Sequence, residues 1–557
     1  MRTSFSKWAT YLSFFLLIFL FGSFVGYKLE NLPITRATVR AAETILGLEF
    51  TDSQADSMLN NLNQNRLSYQ ALRKLNLPNS VVPALTFNPV PVNFNFQDKV
   101  NGFVLNNLVQ VKLPANRDEM AFFTIPQLAQ LIKTKQISSV ALTQFFIDRL
   151  KKYNSKLLNV ITFTEEHAFR KAAEADAEIK QGRYRGVLHG IPFGVKDLLS
   201  QKDYKTTFGA TPYKDQQLVI DATVITRLED AGAVLVAKTT LGELAMGDTW
   251  FGGKTKNPWD LNRGSSGSSA GSASAVSAGC LPFAIGSETL GSIVSPSTEC
   301  GDTGLRPSFG RVSKYGAMAL SWSMDKLGPI TRSVTDAAIV FNVIQGTDKN
   351  DLSTISAPFN YNEKMLTLKG YRIGYVKGDF DKKYGGHLSD SLTLAKLREL
   401  GAELIPLEYP KMPISALTFL LNAEAAAAFQ ELVLSHGDDL LVQQGKGAWP
   451  NIFRSAQFIP AVEYIQANRV RTRLIQEWYE KLKGLDLYIT PSFSLNLNLT
   501  NLTGNPCVVL PNGFNAQGRP LSITFMGQLF GEGKLLQAAK IYQDATDFHK
   551  KHPALNF

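Results

Sequence analysis

Two serine-glycine loops enclose a run of small residues, and this tract limits the fold more tightly than any other part of the chain. The first loop is Ser266-Gly267-Ser268-Ser269-Ala270-Gly271-Ser272-Ala273 and the second Gly286-Ser287-Glu288-Thr289-Leu290-Gly291-Ser292-Ile293; the segment from Ser272 to Ala278 is compatible with a helix. A flexible linker has a similar composition. This tract, however, lies between Asn257-Pro258-Trp259-Asp260 and the apolar run Leu281-Pro282-Phe283-Ala284-Ile285. It therefore reads as a tight loop presenting backbone amides to a ligand. Glycine permits close approach and unusual φ angles, and successive N–H groups form an anion nest.

The surroundings predict an α/β fold. Thr124 is placed to cap a helix with Pro126 in its first turn, and helical periodicity follows through Ser138–Tyr153 and Glu165–Gln181. Apolar runs then alternate with helices. Ala233-Val234-Leu235-Val236-Ala237 reads as a buried strand after a helix from Ala222 to Asp230, and Tyr371 to Val376 as a strand before a helix from Leu392 to Leu400. Asp486 to Thr490 and Cys507 to Leu510 read as further strands. Such alternation implies a largely buried sheet surrounded by helices. The expected organisation is an N-terminal segment 1–28, an accessory helical and extended segment 29–115, and a main domain 116–557 with a helical insertion around 411–483. Within the accessory segment, Ile34 to Leu48 and Asp52 to Leu75 read as helices, and Pro78 to Pro91 as an extended surface stretch.

Lys196 closes an apolar, strand-like run, Gly190-Ile191-Pro192-Phe193-Gly194-Val195-Lys196. Most lysines are solvated. At a buried strand end this one loses solvation, its pKa falls from about 10.4, and a neutral amine acts as a base.

These residues carry a family resemblance. From about Phe123 to His549 the chain resembles the amidase signature family. The matching blocks include Leu188-His189-Gly190-Ile191-Pro192 before the lysine, Asp260 and Arg263 before the serine tract, Gly304-Leu305-Arg306-Pro307, Gly310-Arg311-Val312-Ser313 and Leu327-Gly328-Pro329-Ile330. Thr490-Pro491, Pro511-Asn512-Gly513 and Gly518-Arg519-Pro520 match near the C-terminus.

The resemblance implies an amidase-signature fold, a mixed β-sheet core between helical layers. It implies that Ser292 is the nucleophile, Ser268 the bridging serine after a cis Gly267–Ser268 peptide, and Lys196 the terminal base. The backbone N–H groups of Thr289, Leu290, Gly291 and Ser292 would form the oxyanion hole. The implied activity is hydrolysis of a small-molecule amide through an acyl-enzyme, with no cofactor or metal required. The resemblance also accommodates an amidotransferase-like subunit that frees ammonia from glutamine for a partner.

The chain departs from the family pattern at four places. Leu290 replaces the first of two glycines before the nucleophile, Glu288 replaces an aspartate, Val294 an arginine, and Ala270 a glycine beside Ser269. Leu290 is compatible with a backbone oxyanion hole where its φ stays negative and is strained where φ is positive. Leu290 and Val294 also keep a third reading open, a catalytically degenerate scaffold.

Competing motifs are incomplete. Ser323-Met324-Asp325-Lys326 matches an SxxK nucleophile pattern but lacks a Lys-Thr-Gly partner. Gly252-Gly253-Lys254-Thr255 resembles a P-loop tail, yet Asp248 stands where its first glycine belongs. The six histidines show no metal spacing, His189 reads as structural, and Cys280, Cys300 and Cys507 form no CxxC pair and read as buried. A net charge of +10 without a dense basic run or an aromatic-basic stripe does not point to nucleic acid.

At the N-terminus, Arg2 and Lys7 precede an uncharged apolar run from Trp8 to Tyr27. It is long enough to cross a hydrocarbon core of about 30 Å. The run reads as an export signal or as an uncleaved anchor, with a buried N-terminal helix of a cytosolic protein as the bland alternative. The expected location is therefore exported, periplasmic or extracellular, or membrane-anchored by this segment, which would be the point of any membrane contact. Oligomeric state is not legible.

Overall fold

The computed structural model describes residues 33–73, 78–81, 85–106 and 110–555. The N-terminal apolar run lies outside the described residues. Among the described residues no helix is long and apolar enough to cross a membrane. The chain divides into two compact units, one up to Pro78 and one from Asn79.

In the first unit, helix Arg36–Leu46 begins at a capping box between Thr35 and Thr38 and ends at Gly47, whose φ is +65°. A second helix spans Asp52–Arg73. Arg36 pairs with Asp52 and Asp56, and Arg40 with Glu43 and Asp52. All of these charges except Glu43 are substantially exposed, so each pair contributes little to stability.

The second unit is built on an eleven-stranded mixed sheet. In chain order its strands are β1 (Val160–Phe163), β2 (Pro192–Lys196), β3 (Val234–Thr239), β4 (Phe283–Glu288), β5 (Thr303–Arg306), β6 (Lys326–Thr331), β7 (Arg372–Val376), β8 (Glu403–Leu407), β9 (Leu487–Pro491), β10 (Cys507–Phe514) and β11 (Pro520–Gly527). Their spatial order is β8-β7-β9-β11-β10-β5-β6-β4-β2-β3-β1. β2 runs parallel to both β3 and β4, and β7 parallel to both β8 and β9. The strands between these two parallel groups are joined by antiparallel pairings.

Alternate residues of the central strands enter different cores. Phe193, Val195, Leu235, Phe283 and Ile285 belong to one apolar cluster, while Val234, Val236 and Ala284 belong to another. The sheet is thus buried on both faces, which explains near-continuous apolar runs where a half-exposed strand would alternate. The helices expected from periodicity are present at Ser139–Leu157, Glu165–Lys180, Thr223–Asp230 and His387–Glu399. Between residues 411 and 483 lie helices Phe419–Ala428, Gln430–Leu434, Trp449–Ala456 and Ala461–Leu482. Thr124 and Gln127 form the capping box of helix Ile125–Lys133.

Ahead of the main fold, residues 85–106 run without helix and form one short strand, Gly102–Val104, paired with Asn360–Asn362. Phe87 packs edge-on against Phe309, and the Arg471 guanidinium stands 3.6 Å from the centre of the Phe87 ring.

Candidate active site

The small-residue segment folds as helix Ala270–Ser277, and every one of its residues is buried. Its composition is required by crowding. A Cβ on Gly271 would come within 2.3 Å of the Asn159 carbonyl oxygen and 2.4 Å of the Thr240 amide nitrogen. On Gly267 it would come within 1.8 Å of the Gly247 carbonyl oxygen. The serine loop is therefore wedged against the strand ends. The Gly267–Ser268 peptide is cis, as the resemblance implies.

Lys196 ends β2 and is fully buried. Its Nζ donates to Ser268 Oγ at 2.6 Å, Ser287 Oγ at 2.9 Å and Ser269 Oγ at 3.3 Å. Among the described residues it makes no ion pair. Burial therefore dominates and lowers its pKa to about 7, while the more distant charges of Asp325 and Glu288 raise it.

Neither Ser287 nor Ser269 stands out as functional in the sequence. Ser269 accepts from the Ser287 amide and donates to the Ser287 carbonyl, both at 3.1 Å, and so locks the serine loop to the end of β4. Gly286 leaves room for this contact, since a Cβ there would lie 2.8 Å from Ser269 Oγ. The one signal for them is adjacency: Ser269 follows Ser268 directly, and Ser287 precedes Glu288 in the second loop.

Ser292 lies just before helix Val294–Cys300 and is 9% exposed, against 1% for Ser268. Its carbonyl accepts from the Ser269 amide at 3.2 Å, which joins the two loops. The structure thus brings Lys196 and Ser268 into direct contact and joins Ser292 to them through its backbone. Among the described residues, the Ser292 hydroxyl makes no hydrogen bond to Ser268.

In the Thr289–Ser292 turn, Gly291 takes φ +87° and Leu290 stays out of the left-handed region. The leucine is accommodated without backbone strain because the following glycine makes the turn.

Beneath the turn lies Glu288, fully buried. Its Oε2 accepts the Ile293 and Val294 amides at 2.9 and 3.0 Å. Its Oε1 accepts from Arg306 at 2.7 Å and Asn501 at 2.8 Å. Burial pushes this carboxyl up, but Arg306 and the hydrogen bonds outweigh it and hold the pKa at about 2. Val294 is itself buried in an apolar cluster with Met324 and Leu499. The cation facing Glu288 comes from β5.

The incomplete motifs are absorbed structurally. Ser323 and Ser321 bond to Glu424, Arg471 bonds to Ser323, and Lys326 donates to the Met324 carbonyl. His189 is buried beside Glu178 and Tyr184. The three cysteines are buried and free, and no group of possible metal ligands occurs among the described residues.

Comparison with known proteins agrees with this architecture. The family model described as Amidase matches residues 141–497. A glutamyl-tRNA(Gln) amidotransferase subunit of Coxiella burnetii is 34% identical over 482 residues, covering 78% of this chain and 99% of the relative. The same subunit of Gloeobacter violaceus is 31% identical over 484 residues, covering 78% and 98%. Native peptide amidase of Stenotrophomonas maltophilia superposes with a TM-score of 0.70 at 29% identity, covering 78% of this chain and 99% of that one. With more than half its length matched by the family model and a curated relative above 30% identity along nearly its whole length, the chain belongs to the amidase signature family.

Proposed function

We propose that this protein hydrolyses carboxylic amide C–N bonds with Ser292 as nucleophile, Ser268 as bridging serine and Lys196 as base. The observation that carries the reading is a fully buried amine, lowered to about pKa 7 and 2.6 Å from the Ser268 hydroxyl. A base poised near neutrality suits proton abstraction at physiological pH.

In this reading Lys196 accepts the proton of Ser268 as Ser268 accepts that of Ser292. The Ser292 oxygen adds to the carbonyl carbon, and the N–H groups of the Thr289–Ser292 turn receive the oxyanion. Removing one donor of this kind costs about 2.7–4 kcal/mol elsewhere. The relayed proton goes to the leaving nitrogen, the C–N bond breaks, and an ester on Ser292 remains. Water then gives a proton to the relay, adds to the ester carbonyl and releases the carboxylic acid with Ser292 restored. The relay needs the Ser292 hydroxyl to close on Ser268, and such contacts often tighten only when substrate binds. Ser292→Ala is expected to abolish turnover; a purified variant hydrolysing amides at the wild-type rate would refute the assignment.

A second reading is favoured by the match to the glutamyl-tRNA(Gln) amidotransferase relatives along nearly their whole length. Here the amide is that of glutamine and the ammonia passes to a partner protein. Ammonia release from glutamine that requires a copurifying protein supports this reading. Partner-independent turnover in a panel of aliphatic, aromatic, peptide and fatty amides supports the first.

The apolar run Trp8 to Tyr27 motivates an exported or anchored location. Fractionation of cells expressing the full chain tests it: recovery only in the cytosolic fraction removes the proposal.

A further inference from the structure

Of the four residues of the Thr289–Ser292 turn, Thr289 alone among the described residues is tied by its side chain to another part of the fold. Its hydroxyl donates to Asp325 Oδ1 at 2.6 Å. The second oxygen of Asp325 accepts the Leu320 and Ser321 amides at 2.8 and 3.0 Å. Asp325 immediately precedes β6, whose first residue, Lys326, pairs with Glu288 at the end of β4. Antiparallel register therefore carries Asp325 and Thr289 onto the same level, one step beyond the sheet.

The platform bearing Asp325 is itself held. Ser321 and Ser323 bond to Glu424 on helix Phe419–Ala428 at 2.7–3.0 Å. The Asn79 side chain brackets Ala319, accepting its amide at 2.7 Å and donating to its carbonyl at 2.9 Å.

The geometry points to Asp325 as a positioning residue for the reaction: by accepting the Thr289 hydroxyl it fixes the start of the turn whose amides receive the oxyanion. The inference rests on the reading of Ser292 as nucleophile. A hydroxyl-to-carboxylate bond is stronger than one between neutral groups. It anchors the turn at Thr289, while Glu288 holds the other side through the Ile293 and Val294 amides. The turn is thereby gripped at both ends, and preorganised donors of this kind need no rearrangement as charge develops. Asp325 touches no reacting atom. Burial is the larger effect and leaves its pKa raised, with the Thr289 bond and the two amides opposing it.

The test uses a fluorophosphonate, whose phosphoryl oxygen takes the place of the developing oxyanion. Full-chain wild type, Ser292→Ala, Thr289→Val, Thr289→Ser, Asp325→Asn and the Thr289→Val/Asp325→Asn double variant are compared by the maximal labelling rate and the half-saturating probe concentration. Thr289→Val is expected to slow maximal labelling by about 10- to 100-fold with half-saturation within about twofold. Thr289→Ser is expected to restore most of the rate, and the double variant to be no slower than the worse single one.

Wild-type labelling by Thr289→Val, equal losses in the valine and serine variants, or additive losses in the double variant would each overturn the inference while Ser292→Ala stays unlabelled. Full labelling of Ser292→Ala would instead remove the nucleophile assignment, and the inference with it. If Asp325→Asn does not fold, the valine and serine variants decide.

Discussion

The Lys196 amine stands 2.6 Å from the Ser268 hydroxyl and, among the described residues, forms an ion pair with no carboxylate. An amine isolated in this way titrates where it can be observed. Its pKa is lowered to about 7, chiefly by burial, and in the proposed relay only the neutral form would accept the Ser268 proton. Initial amide-hydrolysis rates measured from about pH 5 to 9 are expected to rise along a limb centred near pH 7. A rate that stays flat across that range would argue against Lys196 as the base.

The same burial makes Lys196 a cost to stability. The folded-state pKa lies below the ordinary 10.5, so between about pH 7 and 10.5 the unfolded chain binds the proton that the folded chain releases. The contribution of this group to stability therefore rises with pH through that window and is least favourable below pH 7. Lys196→Met removes the penalty. It is expected to raise the melting temperature at neutral pH, to lose that advantage toward about pH 10, and to lower kcat by about 10²–10⁴-fold, the usual contribution of a general base. Thermal denaturation at several pH values, beside turnover, checks both halves.

Glu288 and Arg306 make the opposite case. Each is fully buried, they are 2.7 Å apart, and Glu288 also accepts two amides and Asn501. Arg306→Met leaves a buried carboxylate without its cation and is expected to cost about 3–5 kcal/mol. The Glu288 pKa of about 2 lies below its ordinary 4.5, so its stabilisation is complete above pH 4.5 and is lost as pH falls toward 2. Urea titration of wild type and variant at about pH 7 and about pH 3 should therefore show a smaller difference at the lower pH.

The sequence made the α/β class legible because a sheet covered on both faces leaves apolar runs such as Val234–Ala237, and because Thr124 and Pro126 advertise a helix start. Six strands, β1, β4, β5, β6, β8 and β11, are not read as strands from the sequence. β4 through β6 contain Gly286, Gly304 and Gly328, where a Cβ would meet Ser269, Ser297 and the Leu305 carbonyl, so these places are set by close tertiary approach rather than by β propensity. The Lys196–Ser268 contact is legible only through family resemblance, since 72 residues separate the two and no local period joins them. The roles of Ser269, Ser287 and Asp325 are hidden for the same reason. Each makes its contact with a residue distant in sequence, and Asp325 also sits inside a four-residue pattern that resembles an unrelated nucleophile motif.

The turn before Ser292 separates two substitutions that look alike in sequence. Leu290 already bears a side chain where the family pattern has glycine, at a backbone that tolerates one. Gly291 has φ +87°, and a Cβ there would lie 3.2 Å from Leu497 Cδ2. Alanine at 291 is strained by its backbone and crowded by Leu497, so the turn must shift and its amides move with it. A misplaced oxyanion donor costs about as much as an absent one, and Gly291→Ala is expected to lower kcat by about 10²-fold or more. Leu290→Gly relieves no strain and should change kcat by less than about fivefold, since it leaves the amide donors in place. Steady-state turnover of the pair decides the matter. If the glycine variant at 290 instead gained activity by orders of magnitude, the leucine would be an impairment, and the scaffold reading would regain weight.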